Sequence, residues 1–133
     1  MEEPKLREKS VRDESTTVTV GRNGENRAAS YLESKGYEIL DRNFRMGRQG
    51  EIDLIALRKG VLVFVEVKSL PHGNPEMLSH ELNRTKLQKI IKTAKFYIEK
   101  HRQYECRAIR FDVLAIDVPG LEPVHHIVNA FSE

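Results

Sequence analysis

The sequence of 133 residues has one cysteine, Cys106, and lacks any long apolar run. A single cysteine excludes an internal disulfide framework and a cysteine-based zinc cluster. No stretch approaches the ~18 to 20 apolar residues that a membrane-spanning helix needs. Residues 1–5 mix charges and have no apolar run behind them, so we expect no secretory signal. These absences favour a protein of the reducing cytoplasm that makes no contact with a membrane.

A strong net charge is also missing, because the chain carries only +2. Such a balance does not by itself indicate a nucleic-acid-binding protein. The distribution is more informative, since seven of the 22 Lys and Arg residues lie between Arg84 and Arg102, where Glu99 is the only acid. The chain is long enough for one domain with a buried core.

The first part of the chain has little apolar character. Residues 1–20 show no helical period, which predicts a flexible tail before a single domain over residues 21–133. A first helix is predicted over residues 22–35, with Asn23 as its cap and Gly36 as its stop. When its apolar stripe is continued backwards at i, i+3, i+4 and i+7, it reaches Glu25. A carboxylate on a core-facing stripe needs an explanation.

The rest of the chain alternates between strands and helices. Strands are predicted over 37–44, 51–57, 61–68, 108–118 and 124–128, and a loop after the third strand leads to a long helix over 83–101. The second and third strands are apolar on both faces, which is typical of central strands covered by helices. The order α-β-β-β-α-β-β predicts an α/β or α+β domain with a mixed sheet flanked by helices.

Three charged residues interrupt these apolar strands: Asp53, Glu66 and Lys68. If Lys59-Gly60 forms a two-residue turn, the numbers of facing residues sum to 119. Asp53 then faces Glu66 on one side of the sheet, and Glu51 faces Lys68.

The register depends on that turn. A three-residue loop over 58–60 would put Asp53 opposite Val65 and would separate the carboxylates, unless a bulge restores the phase.

Two facing carboxylates repel each other, and burying either costs several kcal/mol without a partner. A divalent cation between them removes both problems, and ligands that are all oxygen suit Mg²⁺ or Mn²⁺. Lys68 would then lie beside the metal, where it can stabilise charge on a phosphate oxygen, and Glu25 could approach from the helix. The alternative is that these charges, which lie near strand ends, are solvated or form ordinary ion pairs.

The motif Ile52-Asp53, twelve residues, then Glu66-Val67-Lys68 resembles the PD-(D/E)xK nuclease superfamily, which has the restriction-endonuclease-like fold. The chain is similar in particular to the YraN family of bacterial proteins, and through it to archaeal Holliday junction resolvases. The stretches shared with that family are residues 21–25, 42–44, 50–56, 63–68, 110–113 and 129–131.

The resemblance implies metal-dependent hydrolysis of phosphodiester bonds, in DNA rather than RNA, with branched DNA of recombination or repair as a candidate substrate. Asp53 and Glu66 match the metal-binding acids, Lys68 matches the catalytic lysine, and Glu25 matches a helix acid that supports the metal site. Glu51 is an accessory acid beside them. Because the resolvases act as dimers on branched DNA, a homodimer is also expected.

Basic side chains near these acids are candidates for contacts with nucleic acid. Arg45 and Arg48 lie in the segment just before Glu51, and Lys86, Lys89 and Lys92 lie on the arc of the long helix opposite its apolar stripe. A solvated helix face is an equally good interpretation of the lysines.

Two further functions stay open beside the enzyme. The same fold could bind nucleic acid without chemistry, or it could serve as an interaction subunit. An intact set of Glu25, Asp53, Glu66 and Lys68 favours the enzyme, because a protein that only binds has no need of two facing carboxylates.

Overall fold

A computed structural model describes residues 12–105 and 107–133. In this part of the chain a five-stranded sheet is flanked by helices, which confirms the predicted fold class. No helix among these residues is both long and apolar enough to cross a membrane. The helices are α1 (Arg12–Ser34), α2 (Pro75–Glu81), α3 (Arg84–Lys100) and a 3-10 turn (Arg102–Tyr104); the strands are β1 (Glu38–Arg45), β2 (Glu51–Arg58), β3 (Val61–Ser69), β4 (Ala108–Ile116) and β5 (Val124–Phe131).

The sheet has the strand order β1-β2-β3-β4-β5. β3 and β4 are parallel, and the other neighbouring strands are antiparallel. Lys59 and Gly60 both have positive φ, 50° and 80°, as a tight two-residue hairpin turn requires. Pairing runs from Arg58 and Val61 to Leu54 and Val65, so the predicted sum of 119 is confirmed along this ladder.

The sheet buries apolar side chains on both faces. On one face α1 packs against alternate residues of the central strands, and this core includes Ala28, Leu32, Leu54, Val63, Val65 and Leu114. On the other face α3 covers a second core that includes Ile55, Leu62, Phe64, Ile90, Tyr97 and Phe111. Each large apolar side chain so buried contributes roughly 1.5–3 kcal/mol. A charged residue in β2 or β3 therefore lies beside apolar surroundings and needs compensation.

The crossover from β3 to β4 carries two helices, whereas the sequence predicts one. The expectation of a plain loop before α3 is wrong, because residues 75–81 form α2. The Asn74 side chain caps this helix by accepting from the Met77 N–H at 2.9 Å, and Pro75 stands at its start. Seven residues make fewer than two turns, which is too short for a helical period to show in the sequence.

Within the described residues the first helix already includes Arg12, ten residues before the predicted start. Asn23 therefore lies inside α1 and does not cap it. Residues 12–20, which the sequence assigns to the tail, are helical, and residues 1–11 lie outside the described residues. Three threonines, two valines and Gly21 lower the helix propensity of this stretch, so its composition gives no helical signal.

Candidate active site

Two acids of neighbouring strands, Asp53 and Glu66, line one small cavity. The cavity has a volume of about 150 Å³ and lies between the sheet and the first half of α3. It is lined by Gly50, Glu51, Asp53, Glu66, Lys86, Lys89 and Ile90. The predicted approach of the two carboxylates on one face is thus present in the fold, at the end of β2 and β3 opposite the hairpin turn.

Asp53 lies just beyond Leu54, the last residue of β2 that pairs with β3. Its Oδ2 accepts from the Val67 N–H at 2.8 Å, so the carboxylate takes a backbone donor of β3. Burial raises the pKa of Asp53 well above its ordinary value, and the nearby charge of Glu66 raises it further. The hydrogen bond from Val67 opposes these effects without cancelling them. The site therefore favours added positive charge, whether a proton or a cation.

Glu66 is more deeply buried, with 6% of its surface exposed. Its Oε2 lies 2.7 Å from the Nζ of Lys86, in the first turn of α3. The expected position of Lys86 on the outward arc of the helix is wrong. Lys86 lies one turn before Ile90 and lines the same cavity, so its side chain is directed toward the sheet. From there its ammonium pairs with the buried acid.

Lys68 is not among the described residues that line the cavity. Its Nζ lies 2.7 Å from Oε1 of Glu81, at the C-terminal end of α2. A hydrogen bond from this ammonium, together with its charge, lowers the pKa of the Glu81 carboxyl. The sequence does not predict this partner, since it does not predict α2.

The other two acids have partners of their own. Glu25 of α1 accepts from the Nδ2 of Asn43 at 3.1 Å. It is still close enough to Asp53 for its charge to contribute to the raised pKa of that residue, as does the charge of Glu51. Oε1 of Glu51 lies 3.3 Å from an NH2 nitrogen of Arg45. Both acids therefore lie close enough to Asp53 for their charges to act on it, and their part in a metal site stays a prediction.

The loop before β2 lies against α3 at Gly50. A Cβ atom at Gly50 would lie 2.1 Å from Oγ1 of Thr93 and 3.1 Å from the carbonyl oxygen of Lys89. Only glycine allows this approach, which holds the entrance of β2, and hence Glu51 and Asp53, against the helix.

Further basic side chains lie on α3 and in the segment just before β2, near the residues that line the cavity. Lys89 lines both the cavity of the two acids and a second, wider cavity of about 520 Å³, which Lys92 and Gln49 also line. Arg48 is exposed in the loop before β2, and Arg45 pairs with Glu51 at the strand end. These residues form a basic rim, defined here as Arg45, Arg48, Lys89 and Lys92.

No group of three or more His, Cys, Asp or Glu residues within the described ranges 12–105 and 107–133 is arranged to hold a metal ion. The donors that do meet are the carboxylates of Asp53 and Glu66. Their oxygen-only chemistry, their burial and the raised pKa of Asp53 fit a hard divalent cation. Glu25 and Glu51 add their charges near Asp53.

A second buried charge cluster lies at the other side of the sheet. Arg110 donates to both carboxylate oxygens of Asp112 at 2.8 Å and to the hydroxyl of Tyr37 at 2.7 Å. Nε2 of His126 lies 2.7 Å from Asp112 Oδ2, and the Asn129 N–H donates to Oδ1 at 2.9 Å. Burial alone would raise the pKa of Asp112, but the hydrogen bonds from His126 and Arg110 lower it to about 2.

This cluster ties β5 and the start of β1 to β4, so it supports the fold. An acid inside the apolar stretch 111–116, two residues after an arginine on the same face, is the sequence signal that could have revealed it.

Comparison with known sequences gives one consistent match. The sequence model of the uncharacterised protein family UPF0102 matches residues 24–116, a range that contains all four acids and Lys68. A UPF0102 protein of Caldanaerobacter subterraneus is 45% identical over 119 residues, which cover 85% of this chain and 94% of the relative. UPF0102 proteins of Persephonella marina and Trichlorobacter lovleyi are 44% and 47% identical; these matches each cover 84% of this chain, and 91% and 89% of the relatives.

Proposed function

The chain belongs to the uncharacterised protein family UPF0102, the YraN group, and for this member we propose metal-dependent hydrolysis of phosphodiester bonds in DNA. The observation that carries the proposal is the meeting of Asp53 and Glu66 in one small cavity. An acid whose pKa is raised by burial and by a neighbouring carboxylate, as that of Asp53 is, is rarely kept inside an apolar sheet for stability alone.

The acids have a direct role in the proposed reaction. Asp53 and Glu66 hold Mg²⁺ or Mn²⁺, and Glu25 and Glu51 add negative charge around them. A bound divalent ion would supply a more acidic water molecule and positive charge beside the phosphate. The protein fixes the two carboxylates through the Val67 N–H and through the packing of α3 on the sheet.

The basic residues act on the substrate. Lys68, two residues beyond Glu66, would stabilise charge on the phosphate once its ammonium leaves Glu81. The basic rim would hold neighbouring phosphates of the strand, and water adds to phosphorus as the P–O bond to the leaving oxygen breaks. Branched DNA and a homodimer are the substrate and assembly that the similarity to resolvases suggests.

A second candidate function is binding of nucleic acid without cleavage. It is favoured by the ion pairs Lys86–Glu66 and Lys68–Glu81, which neutralise the acid and the lysine of the motif. An interaction subunit is the third candidate, for which the contacts described above give no specific support.

A cleavage assay separates these functions. Purified protein is incubated with branched, flapped and linear DNA in Mg²⁺, Mn²⁺ or EDTA, beside the variants Asp53→Asn and Lys59→Ala. We expect cleavage that needs the metal, is abolished in Asp53→Asn and is retained in Lys59→Ala, since Lys59 lies in the distant hairpin turn. Binding of DNA without cleavage in either metal would support the second candidate instead.

A further inference from the structure

Lys86 differs from the neighbouring lysines of α3 in its partner. Its Nζ lies 2.7 Å from Oε2 of Glu66, whereas Lys89 lines the same cavity without an ion pair to that acid within the described residues. The Lys86 side chain is 38% exposed while Glu66 is 6% exposed. The ammonium thus reaches from the rim of the cavity to an acid that solvent scarcely touches.

The charge balance explains why an ammonium occupies this place. When both are ionised, Asp53 and Glu66 bring two negative charges into a cavity of about 150 Å³, and Lys86 returns one positive charge to it. A divalent cation on the same carboxylates would return two. Because two cations repel and both need the oxygens of Glu66, they exclude each other from this position.

We propose that Lys86 is the cation of the metal-free site and that Mg²⁺ or Mn²⁺ binds by displacing its ammonium from Glu66; this inference rests on the proposed function. Displacement needs no movement of the backbone. Lys86 lies in the first turn of α3 on a flexible four-carbon stem, and its partly exposed side chain can turn toward solvent. The released ammonium then stands at the rim of the site, where a phosphate of the substrate would arrive.

Competition with the metal and support of the site predict opposite effects on metal affinity when the charge of Lys86 is removed. If Lys86 competes with the metal, removing its charge strengthens metal binding. If Lys86 merely supports the site, removing its charge weakens metal binding or leaves it unchanged. The metal-free protein, in contrast, loses the partner of a buried acid in either case.

The test measures Mn²⁺ affinity by calorimetry without DNA, in the wild type, Lys86→Gln and the matched control Lys89→Gln. We expect the Kd for Mn²⁺ to fall by roughly fivefold or more in Lys86→Gln and to stay within about twofold in Lys89→Gln. We also expect the metal-free Tm of Lys86→Gln to fall, and its rise on addition of Mn²⁺ to exceed that of the wild type.

A second measurement uses the wild-type protein, in case Lys86→Gln does not fold. The ammonium signal of Lys86, assigned by its loss in Lys86→Arg, is followed by NMR during a Mg²⁺ titration. We expect it to shift together with the side-chain carboxyl signals of Asp53 and Glu66. An ammonium signal that stays unchanged while both carboxyl signals shift would overturn the inference.

The outcomes for the inference and for the proposed function are distinguishable. Mn²⁺ binding that depends on Asp53 but is not tightened by Lys86→Gln overturns the inference and leaves the proposed function in place. An absence of Mn²⁺ binding in both the wild type and Lys86→Gln overturns both. Binding that occurs only in Lys86→Gln supports the inference.

Discussion

At the scale of single residues, the two charge clusters of the sheet differ in how far they compensate a buried carboxylate. Asp112 has an arginine, a histidine and a backbone N–H around it, so its negative charge is fully compensated and its pKa is low. Asp53 is buried, with an acid as its neighbour and one backbone donor, so its pKa is high. A compensated acid stabilises a fold, whereas an uncompensated acid is typical of a binding or catalytic site.

The first prediction concerns Lys68. If its ammonium serves the transition state, Lys68→Ala should reduce cleavage by at least ~100-fold, the scale of losing one electrostatic catalytic group. DNA affinity should change little, because one phosphate contact is a small part of binding. Single-turnover cleavage and a separate binding titration measure the two effects, with Lys59→Ala as the control. A loss of affinity as large as the loss of rate would place Lys68 among the binding residues.

The second prediction concerns the pH dependence that Asp112 gives to stability. Because folding lowers the pKa of Asp112 from 3.8 to about 2, its contribution is fully present above pH 3.8 and is lost as the pH falls through about 2. Asp112→Asn should therefore lower the free energy of unfolding by about 3 kcal/mol at pH 7, since it leaves Arg110 unpaired. Urea denaturation at a series of pH values measures the difference between the two proteins. That difference should shrink between pH 3.8 and 2, and a constant difference would contradict the assignment.

At the scale of elements, the strands and α3 follow from the sequence more closely than the first helices do. The bounds of β2, β3 and α3 agree with the predicted ones within one residue, because their apolar runs are long and Lys59-Gly60 and Asn83 mark their limits. β5 extends to Phe131, beyond the predicted Val128. The prediction ended too early because the residues after Ile127 are largely exposed and show no apolar pattern.

The sequence could not show which acids Lys86 and Lys68 contact. The helical period places Lys86 on the arc opposite the apolar stripe of α3, whereas in the structure its ammonium pairs with the buried Glu66. The ion pair with Glu66 on β3 directs the Lys86 side chain toward the sheet, and this contact joins residues 20 positions apart in the sequence. Likewise the partner of Lys68 lies on α2, which is too short to be visible as a pattern. The positions of the acids were therefore predictable, whereas their ion pairs were not.

The third prediction concerns the contact between the loop at Gly50 and α3. Gly50→Ala should destabilise the protein by about 1–3 kcal/mol, because its new methyl group would meet Thr93 and the backbone of Lys89. In a Thr93→Ala background the cost should fall, since the nearest atom, Oγ1 of Thr93, is gone, while the contact with the Lys89 carbonyl remains. Chemical denaturation of the four proteins in this cycle measures the coupling. Equal costs in both backgrounds would show that the loop moves away from the helix instead.

At the scale of the whole molecule, the charge is organised around one end of the central strands. The acids at the ends of β2 and β3 lie beside the N-terminal half of α3, and Lys89 of the basic rim lines the same cavity. Lys59, at the hairpin turn, lies at the other end of the same strands, and Lys35 follows the C-terminal end of α1. A net charge of +2 thus conceals a local arrangement in which acids and basic side chains lie close together.

The fourth prediction tests whether that arrangement holds DNA. Lys89→Gln together with Lys92→Gln should weaken binding and reduce the slope of log affinity against log salt by about 2, because two phosphate contacts are lost. The matched control, Lys35→Gln together with Lys59→Gln, removes the same charge away from the site and should change neither quantity by a comparable amount. Fluorescence anisotropy with a labelled duplex at several salt concentrations gives both values. Cleavage at saturating protein should persist in the first variant, since neither lysine belongs to the Asp53–Glu66 pair. Equal losses in the two double variants would mean that DNA responds to net charge alone, and the basic rim would then have no special part in binding.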